Sequence, residues 1–205
     1  MCFSATASFT ASTVLGLVGT AGLIKTQNKK AWPLMAMPLF FALQQFVEGL
    51  LWVSLKSYPQ YVLPLTHVFL FFALFFWPTY LPLAILSLET SKARRAIITF
   101  FCVAGTVVGT IFYASFLRSP ETAEIVNRCL YYPNLAPYPH LLGYLYILAT
   151  IGAGAASSKP MVKLYSLLIL VFSLITWYFY AVNFTSVWCF FAAIISLVLF
   201  FYPEK

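Results

Sequence analysis

The chain has 205 residues, 62% of them hydrophobic and only 8% charged, with a formal net charge of +7. A water-facing domain carries about 25% charged residues, so this composition excludes a soluble fold and asks for lipid as the solvent. The positive balance is no nucleic-acid footprint either, because the lysines and arginines sit at the ends of apolar runs instead of forming a patch.

A spanning helix needs about 20 mostly apolar residues. Seven runs fit: residues 5–24, 31–55, 61–88, 96–117, 141–156, 164–182 and 187–202. The expected fold is therefore all-α, a polytopic bundle of seven spans in one domain covering residues 1–205. No basic stretch precedes the first run, which is expected to serve as its own targeting signal. In that run Ser4, Ser8, Ser12 and Gly16 recur every fourth residue, a narrow stripe of the kind that lets helices approach closely in lipid. Pro64, Pro78 and Pro82 predict a kinked third span. Its phenylalanine-rich stretch, residues 67–77, reads as facing lipid on most sides. Gly105 and Gly109, then Ala149 and Ala153, repeat the small-residue spacing. Trp52, Trp177, Tyr178, Tyr180 and Trp188 lie near span ends and suit interfacial belts. The long connection 118–140 is rich in Tyr and Pro and reads as an ordered cap over the bundle.

Basic residues orient the bundle. Alternate loops and the tail hold Lys25, Lys29, Lys30, Lys92, Arg94, Arg95, Lys159, Lys163 and Lys205, against Lys56, Arg118 and Arg128 on the other side. The positive-inside rule puts the larger set in the cytoplasm, the N-terminus outside and the C-terminus inside. A bacterial inner membrane is the expected location.

With that topology almost every reactive side chain falls in the outer half. Glu48 is the only carboxylate within a span, and burial of an acid there demands protonation, a partner or a ligand. His67 enters the next span at matched depth, so the two are expected to face each other as the catalytic pair. Gln44, Glu48 and Trp52 share one helix face. Gln44, Gln45, Ser4 and Trp52 are candidates to hold a ligand.

Cys102 reads as a packing residue. Cys2, Cys129 and Cys189 lie outside and admit three readings. Two of them bridge, or Cys2 becomes an N-terminal nucleophile once Met1 is removed, or Cys2 or Cys189 joins His67, His140 and Glu48 around a metal. For the last, Cys2, His67, His140 and Cys189 are the candidate ligands, and zinc or another transition metal suits the donors. A phosphate loop, a His-Glu-x-x-His and a Cys-x-x-Cys are all absent.

Four segments carry a family resemblance: Met1-Cys-Phe-Ser-Ala5, Gln44-Gln-Phe-Val-Glu48-Gly, Trp77-Pro-Thr-Tyr-Leu-Pro82 and Ser186-Val-Trp-Cys-Phe-Phe-Ala-Ala193. Together they resemble an uncharacterised bacterial family of small multi-span membrane proteins. The resemblance implies membership and brings no mechanism.

The leading functional expectation is a polar outer-half site that binds a metal or small ligand and hydrolyses or modifies a lipid. The rival is a non-enzymatic transporter or membrane-complex assembly protein. A transporter usually shows paired broken helices in two related halves, and no internal repeat is visible. The lipid bilayer is the one partner the chain demands; nucleic acid is not.

Overall fold

The computed structural model describes residues 4–133 and 138–202. Helix α1 (Ala5–Lys25) opens on an N-cap, Ser4, whose side-chain oxygen accepts from the Ala7 N–H at 3.2 Å. Its buried positions Ser8, Ala11, Leu15, Gly19 and Gly22 are mostly small, and that face lies along α3 (Met37–Ser57). Ser12 Oγ donates to the Ala42 carbonyl at 2.8 Å, and a Cβ on Gly19 would meet Leu39 at 2.8 Å. The small-residue stripe is thus a packing surface.

A short helix α2 (Trp32–Met35) precedes α3, with Ala36 between them and Pro38 inside the first turn of α3. The next rod, Pro59–Leu88, consists of α4 (Val62–Leu70), a π-helical turn Phe71–Phe76 and α5 (Trp77–Leu88). The π turn contains none of the three prolines expected to kink this span: Pro64 lies in α4, and Pro78 and Pro82 lie in α5. The span's phenylalanine-rich stretch does not face lipid on most sides: Phe69, Leu70, Phe72, Ala73 and Trp77 are buried. The reason is position, since α5 and the π turn pack against α6 (Lys92–Arg118), and α5 also against α7 (Pro139–Ala155). Close approach is possible because α6 offers Gly105 and Gly109. A Cβ on Gly105 would fall 2.0 Å from the Pro78 carbonyl oxygen. Helix α8 (Pro160–Tyr180) and helix α9 (Phe184–Ser196, prolonged by a 3-10 turn Leu197–Phe201) complete the bundle.

Among the described residues six helical rods are long and apolar enough to cross a membrane. The seventh, α7, has 17 residues, about 25 Å at ~1.5 Å per residue, short of the roughly 30 Å hydrocarbon layer.

Connection 118–140 contributes the one β element among the described residues, an antiparallel hairpin of β1 (Glu124–Val126) and β2 (Cys129–Tyr131). Its two-residue turn is Asn127-Arg128, with φ of 53° and 61°, the left-handed pair that two-residue hairpin turns favour. The hairpin is anchored to the bundle. Asn183 Nδ2 donates to the carbonyls of Val126 and Leu130, one on each strand. The Ala123 N–H donates to Thr66 Oγ1, and Tyr132 stacks on Phe69 with centroids 4.5 Å apart. Cys129 and Leu130 are fully buried beneath it. A buried apolar cluster at this hairpin end joins Val47, Leu51, Val62, Phe69, Phe116 and Leu130.

The opposite end carries Lys25, Lys29, Lys30, Lys92, Arg94, Arg95, Lys159 and Lys163. There Glu89, just past α5, accepts from Ser158 N at 2.7 Å, from Ser158 Oγ at 2.5 Å and from Ser157 Oγ at 3.3 Å. It ties the α5–α6 connection to the α7–α8 connection. Arg94 and Arg95 reinforce that end by donating to the carbonyls of Ala156, Leu86 and Glu89.

Candidate functional site at the hairpin end

On α3 the residues Gln44, Gln45 and Glu48 are all buried. They share the bundle-facing side because their spacings of three and four keep them on one helical stripe. Glu48 Oε1 accepts from Ser186 Oγ at 2.5 Å, and Oε2 accepts from Gln45 Nε2 at 3.1 Å. Gln44 Oε1 accepts from Trp77 Nε1 at 2.7 Å. The Cys189 thiol, one turn beyond Ser186 on α9, lies beside Gln44, and both Cys189 and Tyr132 lie near Glu48. A polar core thus runs from α3 through α5 and α9 to the foot of the hairpin. Around it several groups find no hydrogen-bond partner among the described residues: Ser8 Oγ, Gln44 Nε2, Gln45 Oε1, Trp52 Nε1, Tyr132 Oη and Trp188 Nε1.

His67 does not join Glu48. It is half-buried, with its ring edge-on to Phe116 of α6 at 4.7 Å. The inward position on α4 belongs to Thr66, a neighbour about 100° away around the helix. The 3-10 turn Pro59–Tyr61 leads into α4 with Thr66 rather than His67 on the buried face. Ser4 is exposed and serves as the α1 cap. Trp52 is buried in the hairpin-end cluster, away from the belt position expected for it.

The described residues give the metal expectation no support. Among the described residues no three of His, Cys, Asp or Glu come together in a way that could hold an ion. His140 is exposed at the start of α7, whereas Cys189 is buried and its thiol is free. Cys2 lies outside the described residues. The serine–carboxylate pair Ser186–Glu48 has the spacing of a nucleophile and its base. Both residues, however, are sealed at about 1% exposure, so the pair acts as a tie between α9 and α3.

Access comes from elsewhere. A cleft of about 590 Å³ opens between α7, α8 and α9 at the hairpin end. Its wall includes Tyr131 and Tyr132 of the hairpin segment, His140, Gly143 and Ile147 of α7, Leu170, Leu174 and Trp177 of α8, and Trp188 and Cys189 of α9. Cys189 and Tyr132 therefore stand between the cleft and the polar core. Sequence reasoning reached Cys189 and His140. It missed Tyr132, Trp188 and Gly143 as site residues, and also Ser186, which carries a signal only as the i−3 neighbour of Cys189 on α9.

A family model described as "Family of unknown function (DUF6629)" matches residues 1–205. The chain belongs to that family. No curated protein and no solved structure matches it. Membership agrees with the expectation of an uncharacterised family, and it leaves the site to be interpreted on its own chemistry.

Proposed function

We propose that the protein is a multi-pass cell-membrane protein, folded as a single domain, that binds a lipidic amphiphile in the cleft between α7, α8 and α9. The cleft itself carries the reading. Its volume of about 590 Å³ lies within the ~300–1,000 Å³ of ordinary ligand sites. Its lining combines Leu, Ile and Phe with aromatic polar tips. The mostly apolar, aromatic lining suits a bound amphiphile, so binding is the activity this reading takes.

In this reading the hairpin end faces outward and the basic end faces the cytoplasm, in keeping with the positive-inside rule, and α7 completes a seventh span. Single cysteines introduced at Ser57 or Ser119 are expected to react with an impermeant maleimide applied to intact cells. A cysteine at Ser91 should react only after lysis, and labelling of Ser91 in intact cells reverses the orientation.

Gly143 supplies the test of binding. It lines the cleft, and a Cβ there meets nothing within 4 Å. Gly143→Phe should fill the cleft while leaving the bundle intact. The expected result is loss of co-purifying lipid, read by mass spectrometry, with an unchanged melting temperature. Retention of the same lipid at wild-type occupancy would falsify the reading.

A further inference from the structure

We infer that the basic end holds an anionic glycerophospholipid at the corner where α6 and α8 begin, with its phosphate among Lys92, Lys159 and Lys163 and its acyl chains along the outward faces of the two helices. This site is separate from the cleft and does not depend on it. The corner is built by the ties already described. Glu89 accepts from Ser157 and Ser158, and Arg94 donates to the Ala156 carbonyl, so the chain entering α6 lies against the chain entering α8. The same ties withdraw the groups that could have neutralised or replaced the lysines. Glu89 is the one acid at this end among the described residues, and it is 3% exposed. The exposed acids Glu121 and Glu124 lie at the hairpin end. The guanidinium groups of Arg94 and Arg95 are committed to backbone carbonyls. What remains facing outward is Lys92 and Lys163, both exposed, with Lys159 half-buried. The positive-inside rule accounts for the side on which cations lie, but it does not account for a surface cleared of acids.

Charge alone would fit any polyanion, and what lies beneath the charge decides for a lipid. On α8 the residues Lys159, Lys163, Leu167 and Val171 follow at every fourth position and so share one face. On α6 the residues Lys92, Ala96 and Phe100 do the same, and Val103 continues that face. Leu167 and Phe100 are 55% and 66% exposed, and Val171 and Val103 are exposed as well. Each helix thus presents lysine at its start and an outward apolar strip directly below, the order of head and tail in an amphiphile. A lysine ammonium binds phosphate as a point charge, and basic residues at span ends attract anionic headgroups. A soluble polyanion would meet the lysines and leave both strips uncovered.

The experiment is equilibrium binding of three probes to the detergent-purified full chain. Dioleoyl phosphatidylglycerol carries the proposed head and tails, dioleoyl phosphatidylcholine has the same tails with no net charge, and glycerol phosphate has the head alone. Phosphatidylglycerol should bind about tenfold more tightly than either of the others at low salt, and its advantage over phosphatidylcholine should shrink as salt is raised. Replacing Lys92, Lys159 and Lys163 together by Gln should remove that advantage, whereas replacing them by Arg should keep it. Replacing Lys25, Lys29 and Lys30 together by Gln should leave it within about twofold, because those lysines lie on the connection after α1. If the first glutamine triple does not fold, Lys92→Gln and Lys163→Gln singly should each weaken phosphatidylglycerol binding. Equal binding of the two phospholipids overturns the inference, and so does a preference that survives the substitutions at Lys92, Lys159 and Lys163. An equal loss from the Lys25, Lys29 and Lys30 substitutions assigns the attraction to overall charge and overturns it too. Glycerol phosphate binding as tightly as phosphatidylglycerol would make the corner a site for free phosphate instead. Loss of phosphatidylglycerol in Gly143→Phe would move the lipid to the cleft, which overturns this inference and leaves the cleft reading standing.

Discussion

Glu48 reaches across the bundle to a residue 138 positions away in the chain, Ser186. In lipid the unfolded reference also finds partners for its polar groups, so one interhelical hydrogen bond contributes only about 0.6–1.7 kcal/mol. Ser186→Ala should therefore lower stability in detergent by roughly that amount. Glu48→Ala should cost more, about 1–3 kcal/mol for each buried donor it leaves unpaired, because Gln45 Nε2 and Ser186 Oγ lose their acceptor together. Glu48→Gln should be nearly neutral. The amide oxygen can accept from Gln45 while its NH₂ donates to Ser186 Oγ, which also accepts. Thermal melts of the three variants check this ordering, and a Gln variant as damaged as the Ala variant would contradict it. Glu48 was legible in the sequence because a lone acid within an apolar run stands out. Ser186 was not, since no local pattern records a contact made by two helices so far apart in sequence. His67 was misread for another reason: loop length fixes depth, whereas the inward face of α4 depends on the turn that introduces it.

At the scale of elements, spacing patterns were the most reliable guide. The glycines of α6 were visible as a close-packing pair, and the structure shows what they approach, namely the π turn and Pro78. Gly105→Ala places a methyl group 2.0 Å from a backbone carbonyl oxygen, an atom that cannot swing aside as a side-chain tip would. Overpacking of this kind typically costs about 1–3 kcal/mol. The same substitution at Gly143, where a Cβ meets nothing, should be tolerated, and the pair of melting temperatures makes the comparison internal. The hairpin escaped the sequence reading although residues 118–140 were expected to be ordered. Its turn signal is half present: Asn127 suits a left-handed conformation, but Arg128, with φ of 61°, carries the steric penalty of a side chain there. Arg128→Gly should relieve up to about 1–2 kcal/mol and raise the melting temperature. A lowered melting temperature would show that the arginine side chain matters more than its backbone.

The whole molecule is fastened differently at its two ends. At the basic end, burial tends to raise the pKa of Glu89, but hydrogen bonds from Ser158 and Ser157, with the nearby Arg94 guanidinium, outweigh it and hold the carboxyl below the ordinary value. A depressed carboxylate pKa stabilises the fold above the unfolded value near 4.5, and that contribution fades as pH falls through the folded value. Glu89→Gln should thus melt below wild type at pH 7, and the gap should close below about pH 4.5. A gap that persists unchanged at pH 3 would assign the loss to packing. Charge asymmetry made this end legible as a topological marker, but its internal fastening needed the spatial meeting of two connections 68 residues apart in sequence. The π turn Phe71–Phe76 has a consequence of yet another kind, for how this chain can change in length. Such a turn holds one residue more than α-helical geometry requires, so the helices flanking it already sit in the orientations that a regular helix one residue shorter would give them. Losing a single residue between Phe71 and Phe76 should leave Trp77 facing Gln44 and Thr66 facing Ala123. Losing one from within α4 or α5 would turn part of the rod by about 100° and part those contacts. Among relatives of differing length, this six-residue segment is where the rod can be shortened without being re-aimed.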